Sequence, residues 1–192
     1  MYLGAIASLF VAFGFHCSAF VLIIAICALS FFYIVPLLFA NGKNLRDIPH
    51  LKAYLIALVW TMASVVLPAM ESDTFFSGRT FQLTASNFLF ILALTIPFDI
   101  RDIHLDEKSK WTIPQFLGLN GSKLISLVLI SASVFIGAND LILITHLSIS
   151  ILTYLILLAL TTTKRQELFF SFLIDGMLVL HPLLIIFSKS FG

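Results

Sequence analysis

Residues 97–118 read PFDIRDIHLDEKSKWTIPQFLG and carry three aspartates, Asp99, Asp102 and Asp106, in an otherwise greasy chain. At separations of three, four and seven positions, the carboxylates share one face if the preceding apolar helix runs on past Phe98. Clustered carboxylates repel one another unless positive charge sits among them. A hard divalent cation such as Mg²⁺, which takes oxygen ligands and commonly joins carboxylates to a substrate's phosphates, is the natural candidate. The same acids also suit a solvated loop with incidental charge, so the flanking sequence has to separate the two readings.

Outward from this stretch the chain is apolar almost throughout. Of its 192 residues 60% are hydrophobic and 11% charged, and the mean hydropathy is +1.07. Such a composition leaves too little polar surface to face water and belongs in a bilayer. The length has room for one domain or one bundle. A net charge of +1 offers nothing to nucleic acid. Cys17 and Cys27 sit in apolar helical stretches and read as small buried hydrophobes, not as a disulfide framework. No Lys or Arg precedes Lys43, so the apolar start lacks the charged region of a signal peptide and is read as part of the mature protein.

Apolar segments at 2–15, 18–40, 51–70, 80–98, 122–138, 141–160 and 168–188 predict an all-α integral membrane protein, a single bundle of about seven transmembrane helices. Residues 99–121 form the motif loop between two of them. Counting crossings puts the connectors 41–50, 99–121 and 161–167 on one side. Lys43, Arg46, Lys52, Arg101, Lys108, Lys110, Lys123, Lys164 and Arg165 belong to that side, and only Arg79 and Lys189 to the other. This bias predicts that the aspartate-rich loop is cytoplasmic, in an inner or plasma membrane, with the C-terminus outside. It also brings Arg46 and Lys52 to the side of the acids. Acids and cations together at a membrane surface suit a polyanion with an apolar tail. The same cations serve equally as topology signals and lipid head-group contacts.

The run DIRDIHLD, followed by Thr112-Ile113-Pro114 and Leu117-Gly118, resembles the second aspartate-rich motif of the UbiA-type membrane prenyltransferases. Upstream, Tyr33 and Pro36, the segment Leu45 to Lys52, Trp60 and Pro68 are similar to that family's third and fourth helices and the loop between them. The resemblance covers Tyr33 to Gly118 and implies an incomplete UbiA-type helical bundle. It implies Mg²⁺-dependent transfer of a prenyl group from a prenyl diphosphate to an aromatic or other lipid-like, apolar acceptor. Asp102 and Asp106 would ligate Mg²⁺ with Asp99 as helper, and Arg46, Lys52 and Arg101 would contact the diphosphate. Phe98, Trp111 and Phe116 would shelter the carbocation or anchor the interface. The family's first aspartate-rich motif is not found in this chain. The resemblance therefore predicts a shortened copy, or a truncated and inactive form, beginning inside the family's second helix, short of half the metal site and possessing three spans after the second motif where the family usually has four. Without a metal site, leaving-group stabilisation falls by several kcal/mol.

Further polar residues lie in apolar segments. Asp175 is about seven residues, or roughly 10 Å, into the last predicted helix and is a bundle-interior candidate, functional or structural. Asn87, with Gln82, Thr84 and Ser86, lines a channel or acts as packing glue. His146 and His181 read as helix-to-helix hydrogen-bond donors. Zinc spacing, a Gly-rich phosphate loop and a nucleophile elbow are all missing from the sequence. Besides the prenyltransferase, the sequence admits a non-catalytic membrane protein that binds lipid or a partner helix.

Overall fold

Long apolar runs in lipid must satisfy their own backbone, and the helix is the form that does so within one segment. The computed structural model describes residues 17–35, 45, 48, 51–103, 112–138, 141–163 and 167–190, and these form helices and turns without a strand. Helix α1 is Cys17–Ile34, α2 is Leu51–Glu71, α3 is Gly78–Asp102, α4 is Ile113–Gly137, α5 is Leu141–Leu160 and α6 is Asp175–Ser190. Two π-helical stretches interrupt the regular ladder. Met62–Val66 lies inside α2 and Phe169–Ile174 leads into α6.

Among the described residues three helices, α2, α3 and α4, are long and apolar enough to cross a membrane, which does not match the expected count of seven spans. Helices α1 and α5 are apolar as well, and α5 runs for 20 residues, Leu141–Leu160, about the length that a span needs. Hydropathy measures the distance between polar residues, whereas a helix stops where its backbone must. Helix α1 ends at Ile34, ahead of Pro36, because the residue before a proline is pushed out of the helical region. The segment 2–15 lies outside the described residues. The outer faces nevertheless carry large apolar side chains in quantity: Val21 and Phe31 on α1, Leu124, Val128 and Phe135 on α4, and Val179 and Ile186 on α6 are all exposed. A surface of this kind is stable only against lipid or another apolar partner, and the chain is an all-α membrane protein. Cys27 is a free cysteine on the exposed side of α1, not a buried one, because the apolar surroundings that its sequence implied are outside the bundle.

Helix α3 is the central element. Every residue from Phe90 to Pro97 is buried, so this part of the helix has neighbours on all sides. It packs chiefly against α4 and α2, while α5 joins α4 and α6. The core takes Ala53 and Ala57 from α2, Ile130 from α4, Tyr154 from α5, and Phe170 and Met177 from the last helical segment. Small residues let α3 and α4 approach closely, as membrane helices require when no hydrophobic effect drives them together. On α4 the buried Ser122, Ser126, Ser133 and Gly137 repeat every third or fourth position or its multiple. Ser133 Oγ donates to the Ser86 carbonyl at 2.7 Å and Ser86 Oγ donates to the Ser133 carbonyl at 2.8 Å. A β-carbon at Gly137 would lie 2.5 Å from Ser86 Oγ. Gly137→Ala is therefore expected to cost about 1 kcal/mol through forced separation of the helices, measured by denaturant unfolding of the purified chain.

Local chemistry sets the helix ends that frame the candidate site. Ser77 caps α3, its Oγ accepting the Thr80 N–H at 3.1 Å. At the start of α4 the Thr112 N–H donates to Gln115 Oε1 at 3.2 Å, and Pro114 occupies a first-turn position where no N–H is needed. Gly118 has φ 68° and ψ 177° inside α4, a region that is essentially glycine's alone. The Thr-Ile-Pro and Leu-Gly elements of the sequence thus have a local task. They start α4 and then kink it one turn later.

Candidate functional site

Pro97 sits inside α3 and has no N–H to give the carbonyl of Ala93, one turn back. That carbonyl is satisfied from outside the helix. Ser126 Oγ on α4 donates to it at 2.8 Å and Tyr154 Oη on α5 donates to it at 2.6 Å, and the two hydroxyls lie against each other. With its freed carbonyl paired, α3 continues through Asp102. Asp99 and Asp102 therefore stand three residues apart on one helical face.

Both carboxylates are paired. Lys52, from the first turn of α2, places Nζ 3.1 Å from Asp99 Oδ1 and 3.8 Å from Asp102 Oδ2. Asp99 is the more deeply placed acid, 4% exposed. Arg101 grips its neighbour Asp102 with two bonds, Nε to Oδ1 at 2.6 Å and Nη2 to Oδ2 at 3.2 Å. Its guanidinium carbon lies 5.4 Å from the Phe98 ring centre and 5.3 Å from that of Phe170, so two aromatic faces hold the cation as well. The fork geometry is one that Lys would not reproduce.

This cluster opens on an apolar cavity of about 430 Å³ between α2, α3 and α6. Lys52, Asp99 and Asp175 line its polar end, and Ile56, Leu94 and Leu178 are among its apolar walls. Asp175, the first residue of α6, thereby joins the acids that the sequence placed some 75 positions upstream. Among the described residues, the carboxylates Asp99, Asp102 and Asp175 stand near the cations Lys52 and Arg101. A divalent cation among them would add positive charge for a phosphate to meet.

Three candidates from the sequence, Asp106, Arg46 and Trp111, lie outside the described residues. Asn87 is in α3 but not in the cluster, since twelve residues of helix put it about 18 Å from Asp99. Its Nδ2 donates to Ser64 Oγ at 3.2 Å, and it lines a second cavity of about 540 Å³. His181 is stacked on Phe90, ring centres 4.2 Å apart, with Nδ1 3.4 Å from Ser150 Oγ on α5. Phe170 and Tyr154 were not singled out in the sequence. A buried phenol signals itself only through its partner, and the partner here is a backbone carbonyl on another helix.

Among the described residues no three His, Cys, Asp or Glu side chains are grouped so as to hold a metal ion. The donor chemistry nonetheless fits Mg²⁺ in kind, because that ion is commonly bound by one or two carboxylates together with a substrate's phosphates. An ion between Asp99 and Asp102 would compete with Lys52 for the same oxygens. Set against protein-family models, curated proteins and solved structures, the chain matches none.

Proposed function

We propose that this chain is a UbiA-like membrane prenyltransferase, holding the head of a prenyl diphosphate at the Lys52, Asp99 and Asp102 cluster and passing its prenyl group to an aromatic or other apolar acceptor. The observation that carries the reading is the shape of the site, a charged mouth on an apolar cavity of about 430 Å³, which matches an amphiphile with a polyanionic head. The resemblance of residues 99–118 to the family's second motif points the same way. Asp99 and Asp102 would hold Mg²⁺, which supplies charge neutralisation for the departing diphosphate. Lys52 can exchange a carboxylate oxygen for a phosphate oxygen without leaving the site, and Arg101, held between Phe98 and Phe170, offers further N–H donors. In the transfer the allylic carbon–oxygen bond breaks with its electron pair going to diphosphate. The prenyl carbon bonds to the acceptor, which gives up a proton. On this reading the cluster faces the cytoplasm, as the distribution of Lys and Arg predicts.

One observation favours a second reading, a non-catalytic membrane protein that binds an amphiphile. Asp99 and Asp102 already have cationic partners within the chain, as they would in a site that had no metal to hold. Diphosphate release from a short and a long prenyl diphosphate, with the chain in lipid nanodiscs and a mixture of phenolic acceptors, separates the two. Release with Mg²⁺ that stops in chelator is the expected result. Binding without release would leave the second reading standing, and no binding of either prenyl diphosphate, with or without Mg²⁺, would remove both.

A further inference from the structure

The cavity at the charged mouth and the larger one near Asn87 share three walls, Trp60, Ile91 and Leu178. Trp60 also borders a third cavity of about 190 Å³, toward Leu29 and Tyr33 of α1. An indole is the largest side chain available, yet this one is 51% exposed and has space on three sides. Its backbone is held from below. Ser64 Oγ donates to the Trp60 carbonyl at 2.7 Å and accepts from Asn87 Nδ2 at 3.2 Å. The turn that follows, Met62–Val66, is π-helical, a widened geometry rare in helices and frequent at functional sites. Together these features place one bulky ring, on a backbone tied to α3, at the junction of two chambers along the same helix.

We infer that Trp60 is the partition of a single tail-binding passage and sets the length of apolar chain that the protein accepts. The passage starts at Lys52 and Asp99 and continues past Trp60 toward Asn87, a run of about 18 Å along α3. The first chamber takes a short tail. A longer one must displace the indole or stop against it, with Ile91 and Leu178 forming the opposite walls. The inference rests on the proposed amphiphile binding for the ligand's class and for the end that stays at the mouth, the charged head. The partition itself rests on the cavities alone.

The experiment is native mass spectrometry of the detergent-solubilised full chain with two ligand series, n-alkyl phosphates in Mg²⁺ and the matching n-alkyl alcohols, each of increasing length. While added carbons find apolar wall, affinity should rise about fourfold per methylene. In the unaltered protein the rise should break at the length that reaches Trp60. Trp60→Ala and, on the facing wall, Ile91→Ala should each move the break to longer chains, while Trp60→Phe should move it less. A break at the same length in all variants, or a smooth rise in the unaltered protein, overturns the partition. The comparison of head groups tests the mouth separately. If alcohols and phosphates bind equally but the break still moves with Trp60, the partition holds and the phosphate-binding reading of the mouth is the part that fails.

Discussion

Asp99→Ala should lower the stability of the bundle by about 3 kcal/mol, since removing one partner of a buried ion pair leaves the charge of the other less well compensated. Asp99 is 4% exposed and its Oδ1 is 3.1 Å from Lys52 Nζ. After the substitution the ammonium loses the carboxylate oxygen at 3.1 Å, while Asp102, 3.8 Å away, is already gripped by Arg101. Replacing both members, Asp99→Leu with Lys52→Met, should recover most of the loss, because two apolar groups of similar size leave no orphan charge. The measurement is unfolding of the purified chain in detergent against increasing denaturant. A single-variant cost below about 1 kcal/mol, the range of exposed pairs, would show that Lys52 reaches water and that the cluster is a surface feature.

The second large effect concerns the carbonyl that Pro97 leaves without its helical donor. Ser126→Ala or Tyr154→Phe alone should each cost under about 1 kcal/mol, typical of an interhelical hydrogen bond in a membrane protein, because the remaining hydroxyl still serves Ala93. Together they should cost about 3 kcal/mol, near the full penalty for an unpaired buried polar group. The pair is therefore expected to be superadditive, and a double-mutant cycle reads the coupling directly. Strict additivity would mean that water or a backbone shift pairs the carbonyl. The two hydroxyls also fix the direction of the last turns of α3, which present Asp99 and Asp102, so the double variant should weaken phosphate binding although neither residue touches the cavity's mouth.

Much of the fold is legible in the sequence. Apolar composition and the impossibility of unpaired backbone in lipid lead to helices without further information, and the helix through Asp99 follows from the apolar run before it. The number of spans is not legible, because segments such as 18–40 are bounded by polar residues while α1 ends at Ile34. The stripe of Ser122, Ser126, Ser133 and Gly137 has the spacing of a close-packing face. It passes unnoticed because hydropathy ranks such residues with the apolar segment around them. Gly118 stands out only as part of a motif, and its left-handed backbone is the physical reason that glycine stands there.

The site divides in the same way. Sequence placed Asp99 and Asp102 on one face and Lys52 on their side of the membrane, since helical periodicity and the counting of crossings are local or topological rules that need no packing. Which charges meet is a matter of tertiary structure. Arg101 follows Asp99 by two positions and would point away from it on an ideal helix, but its long side chain reaches Asp102 between Phe98 and Phe170, the latter from another helical segment. Asp175 reaches the cavity only because α6 begins beside α2 and α3. Trp60 borders three chambers only because α1, α3 and α6 leave space around it. Periodicity along one chain segment settles which residues share a face. Voids and ion pairs belong to several segments at once, and only their packing against one another creates them.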